Sequence, residues 1–332
     1  MRGEAMNRRH FLPVSLLAAL VVVLAGTLLP SETVEAGMTD YCQVPPYVVQ
    51  NIPPNVLILL DISGSMLNNA YYDGYQTPDS TSDDRPCTGT NPCTQYNWSG
   101  RPANHRYYGY FDPNQWYEYA SNKFSPSPTG TRTGNYLWSR DFLNWLTMRR
   151  IDIMRKVLTG GRPTSDKIDG EIADDPVRGL YKRITDTQLV AYTPYSTTGN
   201  KDAYFVFNTG NSGTSKFDVY QAQNNDVTHN TGGSQLNSQS ISVNVQVPLP
   251  VEGVLQTVVG ARARVGLEFY NTNDGGKVIT DIGKDKVSGG KTTSSLSDTI
   301  NQINLSRPNT NTPLAEALWT ATGYFAQQKS IA

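Results

Sequence analysis

At 332 residues the chain has room for about two domains, or for one domain carrying large insertions. Its 28 Lys and Arg against 29 Asp and Glu leave a net charge of −1, too little bulk field to hold a polyanion or an anionic membrane, so electrostatic nucleic-acid binding falls away. Three histidines, one of them His10, leave little for a zinc site or a Ser-His-Asp triad, while 17% charged and 10% aromatic residues fit a loop-rich extracellular protein that still owns a core.

Arg2, Arg8 and Arg9 precede an apolar run over residues 11–29, and Val34, Glu35 and Ala36 follow Pro30. A basic head, an apolar middle and a small-residue exit make residues 1–36 a signal peptide, with 37–54 as a linker. The competing reading is an uncleaved membrane anchor; Pro13 and the small-residue exit favour cleavage. Residues 7–12 (NRRHFL) also resemble a twin-arginine export signal. Export places the cysteines in an oxidising compartment. A local disulfide between Cys87 and Cys93 is expected, with Cys42 left to an outside partner or as a free thiol.

Asn55–Leu60 (NVLILL) is a continuous apolar run, the pattern of a strand buried on both faces. Residues 67–138 are irregular and aromatic-rich, with Tyr71, Tyr72, Trp98, Tyr107, Tyr108, Tyr110, Trp116 and Tyr117. A loop of that length reads as a functional insertion, or as a satellite core packed under itself. Residues 139–158 read as one helix, with Ser139 as cap, apolar residues at helical spacing, and Gly160-Gly161 as the stop.

A second, β-rich insertion spans 162–250. Ile241, Val243, Val245 and Val247 alternate with polar residues as a half-buried strand, and 203–207 and 217–220 are further strands. Residues 265–270 and 278–282 flank Asn273-Asp274-Gly275-Gly276 as a β-hairpin. Helices are expected over 295–305 and 313–326. The second has Thr312 as N-cap, Pro313 in the first turn, and Leu314, Leu318, Ala321 and Phe325 on one face. Strand, helix, hairpin, helix, helix points to an α/β sheet.

The chemistry gathers directly after the apolar strand. Ligands of open α/β sheets collect at the carboxyl ends of strands. There Asp61-Ile62-Ser63-Gly64-Ser65 offers one carboxylate and two hydroxyls from a single turn. Hard oxygen donors suit Mg²⁺, Mn²⁺ or Ca²⁺ and not zinc or copper. One carboxylate does not neutralise a divalent cation, so a coordination position stays attractive to an outside carboxylate. Read without a metal, the Ser/Asp turn caps the next segment and Thr312 is a plain N-cap.

This turn resembles the Asp-x-Ser-x-Ser opening of the metal-ion-dependent adhesion site in von Willebrand factor type A domains. The resemblance implies a Rossmann-like, doubly wound α/β sheet with Asp61, Ser63 and Ser65 as ligands. Asn311-Thr312-Pro313-Leu314 is similar to the family's next ligand segment, which adds Thr312. The implied cation is Mg²⁺ or Mn²⁺ ahead of Ca²⁺. The family's last ligand, in a Thr-Asp-Gly, has no counterpart in the expected order. Thr280-Asp281-Ile282-Gly283 imitates it but precedes Thr312, so Asp281 is set aside. The type A domain, taken as 55–332 with insertions at 67–138 and 162–250, is therefore expected to be incomplete at its C-terminus. A longer protein or a second polypeptide would complete it. Residues 144–161, 247–253 and 266–271 resemble the PilY-type proteins of type IV pilus biogenesis and tips; that family's C-terminal propeller is not seen here.

The reading is an exported, non-enzymatic, metal-dependent adhesion module in the periplasm, at a pilus tip or on the outer surface. Its partners would be a protein ligand or pilus subunits presenting an acidic side chain, with no nucleic acid and no membrane beyond the export signal. One alternative is a structural scaffold with no functional metal site. Another is a phosphotransferase with Asp61 as nucleophile, which wants a second acid two residues on, where Ser63 stands.

Overall fold

Period-2 runs, turn glycines and two well-signalled helices account for most of the secondary structure. The computed structural model describes residues 53–71, 94–95, 107–172, 181–210, 213–223, 233–272 and 274–327. The export segment, Cys42, Cys87, Cys93, Tyr72 and Trp98 lie outside these residues.

In chain order come β1 (Asn55–Leu60), β2 (Thr94–Gln95), β3 (Trp116–Ala120), β4 (Lys123–Pro126), β5 (Trp138–Ser139), α1 (Arg140–Thr147) and α2 (Arg150–Thr159). Then follow β6 (Pro163–Thr164), β7 (Lys167–Asp169), β8 (Tyr181–Ile184), α3 (Asp186–Tyr192), β9 (Ala203–Phe207), β10 (Lys216–Gln221), β11 (Ile241–Ser242) and β12 (Asn244–Gln246). The chain continues with β13 (Arg264–Tyr270), β14 (Gly276–Thr280), β15 (Lys286–Ser288), β16 (Lys291–Thr293), α4 (Ser295–Leu305) and α5 (Leu314–Phe325).

Among the described residues the architecture is mixed α/β with four sheets, ordered β1-β13-β14, β11-β10-β9-β8-β2, β5-β3-β4-β12-β7-β6 and β15-β16. In the first, β1 runs parallel to β13 from Asn55↔Arg264 to Leu60↔Phe269, and β14 returns antiparallel as the expected hairpin. Gly275, at φ +72°, supplies the left-handed residue that this turn needs. The parallel pair with its antiparallel return is a three-stranded mixed sheet, and the expected Rossmann-like, doubly wound sheet is not seen among the described residues.

Among the described residues two large cores hold most of the buried hydrophobic residues, beside a small cluster of Tyr204 and Ala222. The larger takes Tyr107, Tyr110, Phe111, Tyr117, Phe124 and Trp138 from the first expected insertion. It takes Ile168, Phe205, Phe217, Val219, Val243 and Val245 from the second, with Phe142, Trp145 and Leu146 of α1 between them in sequence. The two insertions thus share one core. Its rings meet edge to face, Phe111–Tyr117 at 5.1 Å, Phe124–Trp138 at 5.6 Å and Phe142–Phe205 at 5.4 Å, the arrangement aromatic quadrupoles prefer. Most described aromatics of the long loop are therefore core, while Tyr108 is exposed. The smaller core joins Leu60, Ile62, Leu267 and Phe269 to Ile303 of α4, with Met154 and Leu158 of α2 packed against it.

Four expectations are corrected. The helix over 139–158 is two helices, because Met148 and Arg149 take extended backbone (ψ 133° and 163°) between α1 and α2. The strand over 241–247 breaks at Val243: β11 pairs with β10 in one sheet, and β12 pairs with β4 and β7 in another. Ser242 and Asn244 are buried along with their apolar neighbours, so this strand is not half-exposed. β1 is not buried on both faces: it stands at a sheet edge, with Asn55 and Val56 exposed and only Leu60 buried. Finally, Leu314, Leu318 and Phe325 face outward, and α5 seats Ala317 and Gly323 instead.

Candidate cation site at the end of β1

β1 ends at Leu60, and the chain turns through Asp61 and Ile62 into a short 3-10 helix, Gly64–Leu67. A turn this tight folds the polar side chains back on one another. The Ser63 amide donates to Asp61 Oδ1 at 2.6 Å, and the Ser63 and Ser65 hydroxyls lie 3.0 Å apart. Asp61, Ser63 and Ser65 are thus brought together. Ser63 is buried, whereas Asp61 and Ser65 keep partial access to solvent.

The segment before α5 is laid against this turn. Ser63 bridges Thr310 in parallel, the Gly64 amide donates to Thr310 O at 3.1 Å, and the Asn309 amide donates to Ile62 O at 2.9 Å. Asn311 Nδ2 reaches Thr272 O at 2.8 Å, fixing the same segment to the end of β13. Thr312 follows on that segment and is exposed. α5 begins at Leu314 with Pro313 in the cap position, so the Thr312 hydroxyl is not the N-cap, a correction to the sequence reading.

Tyr270, at the end of β13, completes the rim. Burial, and after it the nearby negative charge of Asp61, push its phenol above the ordinary value. Asp281 is elsewhere. It follows Thr280, which pairs with Leu267, and the Gly283 amide reaches toward Val265 O, so Asp281 sits at the sheet end opposite the Asp61 turn.

The donor set is one carboxylate, hydroxyls and carbonyls, which fits a hard divalent cation and offers no soft ligand. Among the described residues no group of three or more His, Cys, Asp or Glu stands together to hold a metal. The turn therefore offers little charge of its own, and affinity for a divalent cation rises with ligand charge count.

Several residues near the site escaped sequence reasoning. Residues 148–150 clamp the far side of the turn. The Ala70 amide donates to Met148 O at 3.0 Å, the Arg150 amide donates to Asn68 O at 3.1 Å, and Arg149 Nη1 donates to Leu67 O at 2.6 Å. Glu268, paired with Leu59 across β1 and β13, is fully buried, and neither carboxyl oxygen finds a hydrogen-bond partner among the described residues. Burial pushes its carboxyl up to about 7. No motif marks either residue, because both depend on segments far apart in sequence.

Residues 101–231 match a family model described as PilY1 homolog, small alpha/beta domain. The span reaches from before β3 through β10 and contains Arg149, but neither Asp61 nor Thr312. No curated protein and no solved structure matches the chain. No helix among the described residues is long and apolar enough to cross a membrane.

Proposed function

We propose that the chain is an exported, non-enzymatic binding module of a pilus-associated protein. In this reading Asp61, Ser63, Ser65 and Thr312 present a divalent cation, Mg²⁺ or Mn²⁺ ahead of Ca²⁺, and a carboxylate from a partner protein completes its coordination. The observation that carries it is the turn after β1, where the Ser63 amide and the paired hydroxyls of Ser63 and Ser65 gather around Asp61 and the 309–310 backbone is bonded to the same turn. The parallel β1–β13 pair with its β14 return supports a von Willebrand type A sheet, of which these strands are one part. The match of residues 101–231 to a PilY1-homolog domain supports placement in the periplasm, at a pilus tip or on the outer surface.

Calorimetric titration of the full chain with Mg²⁺, Mn²⁺ and Ca²⁺ tests this. Saturable heat is expected, and it should vanish in Asp61→Ala while the circular dichroism stays that of the parent. No heat in the parent would overturn the proposal and leave the second reading, a scaffold without a functional metal, which the single carboxylate of the turn favours. A phosphotransferase is disfavoured because Ser63 occupies the position where a proton-donating acid belongs, and its hydroxyl already faces Ser65.

A further inference from the structure

The break between α1 and α2 falls at residues with no helix-breaking chemistry, since neither Met148 nor Arg149 is Gly or Pro. Leaving the helix there gives up backbone bonds that a continuous helix would make. What the chain forms in exchange is a short antiparallel contact with the segment following the Asp61 turn. Asn69 bridges Arg149, the Ala70 amide donates to Met148 O, and the Arg150 amide donates to Asn68 O.

The Arg149 side chain then runs inward and is almost fully buried. Nη1 donates to Leu67 O at 2.6 Å, the last residue of the 3-10 helix that carries Ser65. Nε donates to Glu171 O at 3.2 Å, and the guanidinium lies 5.8 Å from the centre of the Phe207 ring on β9. Its own amide donates to Asp152 Oδ2 at 3.2 Å, which seats it at the start of α2. A planar fork with fixed donors can hold two carbonyls and a ring at once, which a lysine ammonium on a flexible stem does not do.

We propose that Arg149 is the positioning residue of the Asp61–Ser65 turn, tying the 3-10 helix to the start of α2, the Glu171 backbone and β9, so that a displacement of those elements moves the Ser65 hydroxyl relative to Asp61. Displacements of α2 or β9 are thereby read at the turn. The consequence for a cation rests on the function proposed above; the mechanical link does not.

Hydrogen–deuterium exchange on the full chain tests the link, comparing the parent with Arg149→Met and Arg149→Lys. In Arg149→Met, peptides covering residues 63–70 should exchange at least tenfold faster, while those covering β9 and β10 keep parent rates. Arg149→Lys should fall between. Parent rates at 63–70 in the folded variant, or an equal loss of protection over β9 and β10, would overturn the proposal. If Arg149→Met does not fold, Arg149→Lys carries the same comparison, with at least a threefold change expected at 63–70. A Mn²⁺ titration is the second arm, and affinity should fall at least fivefold in Arg149→Lys with unchanged stoichiometry. Parent affinity there would sink the positioning role. If the parent binds no Mn²⁺, the proposed function fails while the exchange result still decides the link.

Discussion

Glu268 has no exposed surface, and among the described residues neither of its carboxyl oxygens has a hydrogen-bond partner. Its folded value of about 7 lies above the ordinary 4.5, so ionisation opposes folding. The cost is absent below pH 4.5, grows as pH rises toward 7 and is complete above it. Glu268→Gln removes the charge and keeps the shape. Urea unfolding should find the variant more stable than the parent by roughly 2–3 kcal/mol at pH 8, and indistinguishable from it near pH 4. Equal stabilities at pH 8 would mean that the carboxylate is satisfied after all. The sequence pattern points the other way, because a Glu between Leu267 and Phe269 on a strand reads as a solvent-facing position. Only the packing around it removes that solvent: the carboxyl lies over Gly276, where an added Cβ would come within 1.7 Å of Oε1. Arg155 makes the contrast. It is equally buried but donates to Glu171 at 2.8 Å, to Ile303 O at 3.3 Å and to Ser306 O, so its charge is matched on every side.

Among elements, α2 ends by a close backbone approach. Gly160 takes φ +86°, and a Cβ on Gly253 would meet Leu158 C and Thr159 N at 2.4 Å. Backbone atoms cannot swing aside as a side chain would. Gly253→Ala is therefore expected to cost about 1–3 kcal/mol, read as a lower urea midpoint with unchanged slope. A midpoint within error of the parent would show that the two segments separate easily. The stop at Gly160 was legible in the sequence, since Gly is the residue that a left-handed helix end favours. So were β9, α4 and the β13–β14 hairpin, each carried by its own period or turn chemistry. The α1–α2 break was not. At the start of α2 the Arg149 amide donates to Asp152 Oδ2, but the arginine side chain has no acceptor with which to cap the helix in return, so no local capping signal marks this start. The bonds that favour the break lie on residues 67–70, some eighty positions earlier in the chain.

At the scale of the molecule, α5 carries the largest group of exposed apolar side chains among the described residues, and β1 adds one more. Leu314, Leu318, Trp319 and Phe325 are each more than half exposed, and Val56 on β1 is 39% exposed. β1 also lacks the usual edge protections, having no charge, proline or bulge within Asn55–Leu60. Such surface normally marks an interaction face. Because the α5 residues pack on little, replacing Leu318 and Trp319 together by Glu should leave the chain's thermal midpoint close to the parent's while lowering binding of a hydrophobic dye. Surface changes of this kind usually stay within about 0.5 kcal/mol each. A drop of many degrees would show that the face is buried in solution.

By itself the sequence determined the local chemistry of this protein: a strand running straight into Asp61, Ser63 and Ser65, two signalled helices, a hairpin, and enough aromatics for a core. Those features are set by neighbours within a few residues, through periodicity, turn propensity and the donors of a single turn. The tertiary structure decided what is joined to what. It folded both aromatic-rich segments into one core, placed the 309–310 backbone on the Asp61 turn, turned the stripe of α5 outward and riveted Arg149 to Leu67. Each depends on contacts between distant segments, whose free energy comes from burial and hydrogen-bond partners that no local pattern encodes.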